Sequence, residues 1–332
     1  MLILGVETSC DETAAAVLRS PRTLLANVIH SQLIHEQYGG VVPELASREH
    51  VKRLVGIVDE ALNRADCKLA DIDAFAVTYG PGLVGALLVG LTFVKSLAQA
   101  TGKPFIGVNH LEGHIFSNHL SHDNCVPPFV ALIVSGGHSN LVLVKDWGKY
   151  QVLGKTRDDA PGEAFDKIAK ILGLSYPGGP AIEKAAHNGD KTFFKFPRAF
   201  MGKDSYEFSF SGLKTAVAVY LRDKDDSFIQ RHLADISASF QEAICEVLAT
   251  KAIAACREHR VTRLSVSGGV AMNKRLRELT VELAQADGIT TFFPGANLST
   301  DNAAMIAMAG AWYLEQGITS KLDLNAVPYL GI

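Results

Sequence analysis

Two stretches of this chain, residues 2–18 and 129–144, repeat one plan: an apolar run, a short polar turn, and a second apolar run. In the first, Leu2–Val6 and Thr13–Leu18 flank a turn rich in hydroxyls and carboxylates. In the second, Phe129–Val134 and Asn140–Val144 flank a glycine turn. Short continuous apolar runs bounded by turn residues are the pattern of buried strands. A plan that restarts within 332 residues predicts two domains of similar fold. The boundary is placed in the link of residues 121–128, Ser-His-Asp-Asn-Cys-Val-Pro-Pro.

Helical periods separate the strands, so the class is α/β. Pro43–Ala65 is amphipathic, with proline in its first turn and Leu45, Val51, Leu54, Val55, Val58 and Leu62 at helical spacing. Ile72–Tyr79 reads as a strand, Leu83–Ala100 as a helix and Pro104–Val108 as a strand. After the restart, Gly162–Leu172, Ser227–Glu258, Ala271–Ala286 and Thr300–Gln316 read as helices, with strands at Val261–Ser267 and Thr290–Phe293. Hydrophobic content of 48% with 20% charged residues describes a packed globular protein. The net charge of −3 rules out a chain that binds nucleic acid by its overall field. Five cysteines without a CxxC pair fit a reducing compartment. The N-terminus lacks a signal-peptide pattern, and the most apolar window, Leu83–Val94, is too short to span a bilayer. A cytoplasmic protein with no membrane partner is expected.

Several segments can carry chemistry. His110 and His114 lie four apart in a segment that can form a helix, so both rings can reach one metal ion. Two neighbouring surface histidines are the alternative. Gly5–Thr13 ends a strand in a turn bearing Asp11 and Glu12, which can organise a metal, a water or an amine, or can simply turn the chain. The runs 133–139 and 266–273 share a Val-Ser-Gly-Gly core, and the second leads into a helix with Asn273 in its first turns. A strand, glycine turn and helix N-terminus can receive a nucleotide, although plain turns use the same residues. Neither has Walker or Rossmann spacing. Glu163 and Asp166 share a face at a helix start, for function or for the helix dipole. Tyr176-Pro-Gly-Gly-Pro180 is a rigid turn. Asp301 is either the N-cap of the closing helix or a hard oxygen ligand. The basic sets Lys274, Arg275, Arg277 and Arg257, Arg260, Arg263 read as solvated faces.

Taken together, these segments resemble the TsaD family of tRNA N6-adenosine threonylcarbamoyltransferases, formerly labelled O-sialoglycoprotein endopeptidases. The resemblance is carried by residues 7–13 (ETSCDET), 39–48 (GGVVPELASR), 80–85 (GPGLVG), 110–114 (HLEGH), 134–138 (VSGGH), 162–167 (GEAFDK), 176–180 (YPGGP), 208–214 (FSFSGLK) and 299–302 (STDN). The N-terminus and length look like the bacterial type. Proline at 161 and serine at 139 are mild departures from the family pattern. The resemblance implies the ASKHA fold: two duplicated RNase H-like domains with an interdomain cleft. The domains are set at 1–125, joined by 303–332, and 126–302. It implies one divalent metal, iron(II) with zinc also seen, on His110, His114 and Asp301. It implies an adenine nucleotide, threonylcarbamoyl-AMP, on Ile133, Val134, Ser135, Gly136, Gly137, Asp166, Gly179 and Asn273. Glu183 lies where relatives can place a ribose-binding carboxylate and is not counted among these.

The reaction implied is transfer of the L-threonylcarbamoyl group to N6 of adenosine 37 in tRNAs reading ANN codons, forming t6A and releasing AMP. Asp11, with Glu12 as second choice, is expected to take the proton or position the amine. The expected partners are tRNA, a TsaB-like paralogue, a TsaE-like ATPase and a TsaC-type synthase that supplies the adenylate. A metallopeptidase is the first rival, but zincins place glutamate directly after the first histidine, where Leu111 stands; Glu112 lies on another face. A sugar kinase or ATPase of the same fold, and a non-catalytic scaffold, are the others.

Overall fold

The structure is a computed structural model that describes residues 1–199 and 205–332. It divides into two compact units, Met1–Ser121 with Gly295–Ile332, and His122–Pro294. The segment Gly295–Asn302, allotted to the second domain by sequence, lies in the first unit, and Asp301 with it.

The first unit is built on five strands: β1 (Leu2–Glu7), β2 (Glu12–Arg19), β3 (Thr23–Ser31), β4 (Ala74–Gly80) and β5 (Phe105–Asn109). Their order is β3-β2-β1-β4-β5, with β1–β2 and β2–β3 antiparallel and β1–β4 and β4–β5 parallel. The second unit has β6 (Phe129–Val134), β7 (Ser139–Asp146), β8 (Lys149–Lys155), β9 (Arg263–Ser267) and β10 (Thr290–Phe292). Its order, β8-β7-β6-β9-β10 read from the other edge, repeats the first sheet strand for strand in direction as well as position. Both units are RNase H-like, and together they are of the ASKHA type.

Strand β1 is central, and its side chains are buried on both faces after Leu2, as its unbroken apolar run requires. Period-2 alternation sorts β2. Ala15 and Val17 join Leu4 and Val6 in the main core, beneath helix α1 (Pro43–Arg64), while Ala14 and Ala16 face the opposite layer. That layer holds the closing helix, Ala303–Glu315, called α11 in chain order. Alanine, glycine and methionine make up most of its buried face, which lets it lie close on the sheet.

Helix α2 (Val84–Thr101) corrects the estimate of bilayer length made from sequence. It runs 18 residues, past Val94, and is long and apolar enough to cross a membrane by length and composition. Here it packs on β4 and α1, burying Ala86, Leu87, Gly90, Leu91, Val94 and Ala98. Helix α3 (His110–Ser121) starts directly at the end of β5, so both histidines fall in its first turns, as their spacing predicts.

In the second unit, helices α4 (Pro161–Ile171), α5 (Gly178–Ala186), α6 (Ser211–Leu221), α7 (Asp226–Arg231), α8 (Leu233–Glu258) and α9 (Lys274–Ala286) surround the sheet. The stretch read as one helix over Ser227–Glu258 is two, broken at His232. The Tyr176–Pro180 turn opens α5 directly, and residues 269–272 form a 3-10 turn ahead of α9. A four-residue helix, α10 (Ala296–Ser299), precedes α11.

Candidate metal centre and nucleotide turns

In the first unit, the N-terminus of α3 meets the approach to α11. Gly113 makes this possible: a Cβ there would sit 2.8 Å from Ile306 Cδ1 and 3.1 Å from Met305 Cγ. A larger residue would have to displace the Ile306 and Met305 side chains that pack there. At that crossing, His110, His114 and Asp301 bring one ligand atom each within 4.8 Å of one another. Asp301 Oδ1 is 3.2 Å from His114 Nε2 and 3.5 Å from His110 Nε2. The two rings stand edge to face, at an interplanar angle of 84°.

Asp301 is available for this because its neighbour caps the helix. Asn302 Oδ1 accepts the Met305 amide at 3.0 Å, so Asn302 is the N-cap of α11. Between the two roles that the sequence left open for Asp301, the structure removes the cap.

Behind His110 lies Glu7, fully buried at the end of β1. Its Oε2 is 3.0 Å from His110 Nδ1 and accepts the Thr78 hydroxyl at 2.6 Å, while the Ser9 amide donates to its Oε1. The Ser9 hydroxyl is also 3.1 Å from His110 Nδ1. A carboxylate on Nδ1 fixes the ring and leaves Nε2 for the ion, the usual support for a metal-bound histidine. Burial pushes the Glu7 carboxyl up, but the His110 charge, with the His110 and Thr78 hydrogen bonds, outweighs that and holds it below the usual range. Burial pushes His110 down, yet Asp301 and Glu7 raise it to about 9. Carboxylates stand on both sides of the His110 ring, and the donor set of two imidazoles and a carboxylate suits a divalent transition metal. The residues therefore fit the metal that the sequence resemblance implies. Glu7 was not singled out as a site residue from sequence, although an acidic group ending a buried strand was a usable signal.

Asp11 ends the turn between β1 and β2, and Glu12, which the sequence places in that turn, is the first residue of β2, in the same unit. Burial, then the nearby charge of Asp11 and of Asp301, raises the Glu12 carboxyl well above its ordinary value, and Asp11 also hydrogen-bonds it. Glu112 is elsewhere engaged: its Oε1 accepts the Tyr313 hydroxyl at 2.6 Å.

Replacing Glu7 by glutamine keeps its shape and removes its charge. We expect metal affinity to fall about 10- to 100-fold, measured by competition with a chelator of known affinity. Unchanged affinity would show that Glu7 does not tune the histidine.

The second unit gathers its own turns at the C-terminal ends of β6 and β9, the edge at which open α/β sheets bind ligands. Ile133 and Val134 end β6, and Ser135 closes the turn, its amide bonded to the His138 carbonyl at 2.9 Å and its hydroxyl accepting the His138 amide at 3.1 Å. Gly136 and Gly137 face open space. The Gly162 amide reaches the Ser135 carbonyl at 3.2 Å, which docks α4 on this turn. Asp166 Oδ1 accepts the Gly178 amide at 2.6 Å and so ties α5 to α4, with open space at Gly179. Gly268 has a φ of +91°, and a Cβ there would lie 2.3 Å from the Val134 carbonyl oxygen, so only glycine brings the two Val-Ser-Gly-Gly turns together.

Asn273 is the N-cap of α9, not a residue within it: its Oδ1 accepts the Leu276 amide at 3.0 Å and its Nδ2 donates to Gln241 at 2.7 Å. Glu183 Oε1 accepts the Lys274 amide at 2.7 Å, so this carboxylate sits at the same helix start. The Asp11 turn and the Ser135 turn thus occupy equivalent places in the two repeated sheets.

A duplicated RNase H-like fold with a His-His-Asp cluster, its two rings buried and its carboxylate half-buried, defines an ASKHA protein with a candidate metal site. Among solved structures, HypF of T. kodakarensis shares the fold at a TM-score of 0.63 and 15% identity, over 95% of this chain and 48% of that one. Component A of the Acidaminococcus fermentans (R)-2-hydroxyglutaryl-CoA dehydratase shares it at 0.57 and 13%, over 95% and 99%. Residues 23–308 match the TsaD family, tRNA N6-adenosine threonylcarbamoyltransferase, and the chain belongs to that family. A protein of that name from Clostridioides difficile strain 630 is 53% identical, over 100% of this chain and 98% of its own length. One from Caldicellulosiruptor saccharolyticus is 49% identical over the same shares.

Proposed function

We propose that this chain performs the reaction for which its family is named, with the His110–His114–Asp301 cluster as its metal centre. The L-threonylcarbamoyl group passes from threonylcarbamoyl-AMP to N6 of adenosine 37 in tRNAs reading ANN codons, giving t6A and AMP. The observation that carries this reading is the His-His-Asp cluster, with both rings buried and Glu7 behind it, in a chain about half identical to named relatives over its whole length.

His110, His114 and Asp301 would hold iron(II), or zinc in its place. When bound, the ion supplies Lewis acidity to a carbonyl or phosphate oxygen. Glu7 keeps His110 in the orientation and tautomer that present Nε2. Asp11 accepts the proton that the adenine amine must lose, and Glu12, whose carboxyl burial and the nearby Asp11 raise, is the hydrogen-bond partner that orients Asp11. In the second unit, the open backbone at Gly136, Gly137 and Gly179 receives the adenylate, with Ile133, Val134 and Ser135 shaping the turn. Asp166 and Asn273 fix the helix starts around it.

The net charge of −3 leaves tRNA docking to local surfaces and partners. A TsaB-like paralogue, a TsaE-like ATPase and a TsaC-type synthase are the expected ones, in the cytoplasm. The peptidase reading loses ground because Glu112 is engaged by Tyr313. Mass spectrometry of tRNA nucleosides after incubation with threonylcarbamoyl-AMP, tRNA and the partners tests the proposal. The expected product is t6A at position 37. Unmodified adenosine, with peptide release or rapid ATP turnover in its place, would overturn it.

A further inference from the structure

The stretch that carries Asp11 and Glu12, from the end of the β1–β2 turn into β2, is gripped from the side by a buried polar chain that comes from Gln32–His50. His50, on the buried face of α1, is fully enclosed. Its Nε2 lies 2.9 Å from the Cys10 carbonyl, which can only accept, so Nε2 carries the proton. Nδ1 is then an acceptor, and it faces two donors: the Thr13 hydroxyl at 2.8 Å and Gln32 Nε2 at 3.3 Å. Gln32 Nε2 also reaches the Ala46 carbonyl at 3.2 Å, and its oxygen accepts His35 Nε2–H at 3.0 Å. His35 Nδ1 accepts the Val42 amide at 3.3 Å. The Gln32 amide itself donates to the Asp11 carbonyl at 3.2 Å.

Every link in this chain has one direction, and each imidazole is held in one tautomer. Burial pushes His50 below its ordinary value, so the ring stays neutral. The chain therefore grips the residues on both sides of the Asp11–Glu12 pair, Cys10 by its carbonyl and Thr13 by its hydroxyl. It also accounts for part of the segment 39–48 and the histidine after it, to which the proposed reaction gives no role.

We propose that His50 is a positioning residue for the transfer reaction: by fixing the Cys10 carbonyl and the Thr13 hydroxyl, it sets where the Asp11 carboxylate stands. This rests on the reading of Asp11 as the group that handles the amine proton. A displacement of about 1 Å in such a group can cost on the order of 100-fold in rate.

Two polar replacements separate positioning from mere filling. In His50→Gln, the side-chain amide falls at the Nε2 position and keeps a donor to Cys10. In His50→Asn, it falls at the Nδ1 position and loses that donor. Steady-state t6A formation is measured with tRNA, threonylcarbamoyl-AMP and the partner proteins, beside wild type and Asp11→Asn. Metal content and thermal midpoint are recorded for each variant. The expected result is a fall in kcat of about 100-fold for His50→Asn at unchanged KM and metal content, with His50→Gln recovering most of it. Equal kcat in wild type and His50→Asn would overturn the inference, as would equal loss in the two His50 variants. If Asp11→Asn transfers normally while His50→Asn does not, the reading of Asp11 is what fails.

Discussion

His114→Ala should abolish both metal binding and transfer. His114 is wholly buried, with Nε2 3.2 Å from Asp301 Oδ1, and among the described residues no other imidazole joins His110 and Asp301 in that cluster. Removing it leaves two protein donors, too few for a tightly held divalent ion with this type of ligand set. Lewis-acid stabilisation is worth several kcal/mol, so the rate should fall about 1,000-fold or more. Elemental analysis of the purified variant and its rate of t6A formation check the two halves of the expectation. Among the described residues the ring makes one hydrogen bond, through Nε2, and its Nδ1 has no partner, so the fold loses packing but no polar network. A variant that keeps its metal, or loses the metal and still transfers, would remove the cluster from the mechanism.

Asp11→Asn should be nearly as severe while leaving the metal in place. The change keeps the shape and takes away the proton acceptor. Loss of a positioned general base costs about 100- to 10,000-fold. The effect should appear in kcat with threonylcarbamoyl-AMP supplied, with metal content unchanged, because Asp11 does not belong to the His-His-Asp cluster. Near-normal transfer by Asp11→Asn would end its role as base and turn attention to Glu12 beside it, whose carboxyl is raised by burial and by the Asp11 charge that this variant removes.

The duplicated sheet could be read from sequence because its central strands are buried on both faces and so must be apolar throughout. Strands β3 and β8 escaped that reading. They lie at the sheet edges, where only some positions are buried and the pattern dissolves. His110 and His114 declared themselves by helical spacing, but Asp301 pairs with His114 across 187 residues, which no local pattern can convey. Whether Asp301 or Asn302 caps the closing helix was equally hidden. Both residue types cap well, and only the fold assigns the Met305 amide to Asn302. Glu7 and His50 act through partners 103 and 37 residues away, and their importance rests on burial, which spacing alone does not reveal.

The most direct test of the account is to strip the protein of metal and titrate iron(II) or zinc back while counting t6A formed per tRNA by nucleoside mass spectrometry. The account predicts no t6A in the stripped protein and full activity at one equivalent of metal per chain, with no recovery in His114→Ala at any metal concentration. Full t6A formation by the stripped protein, or equal recovery in His114→Ala, would contradict it.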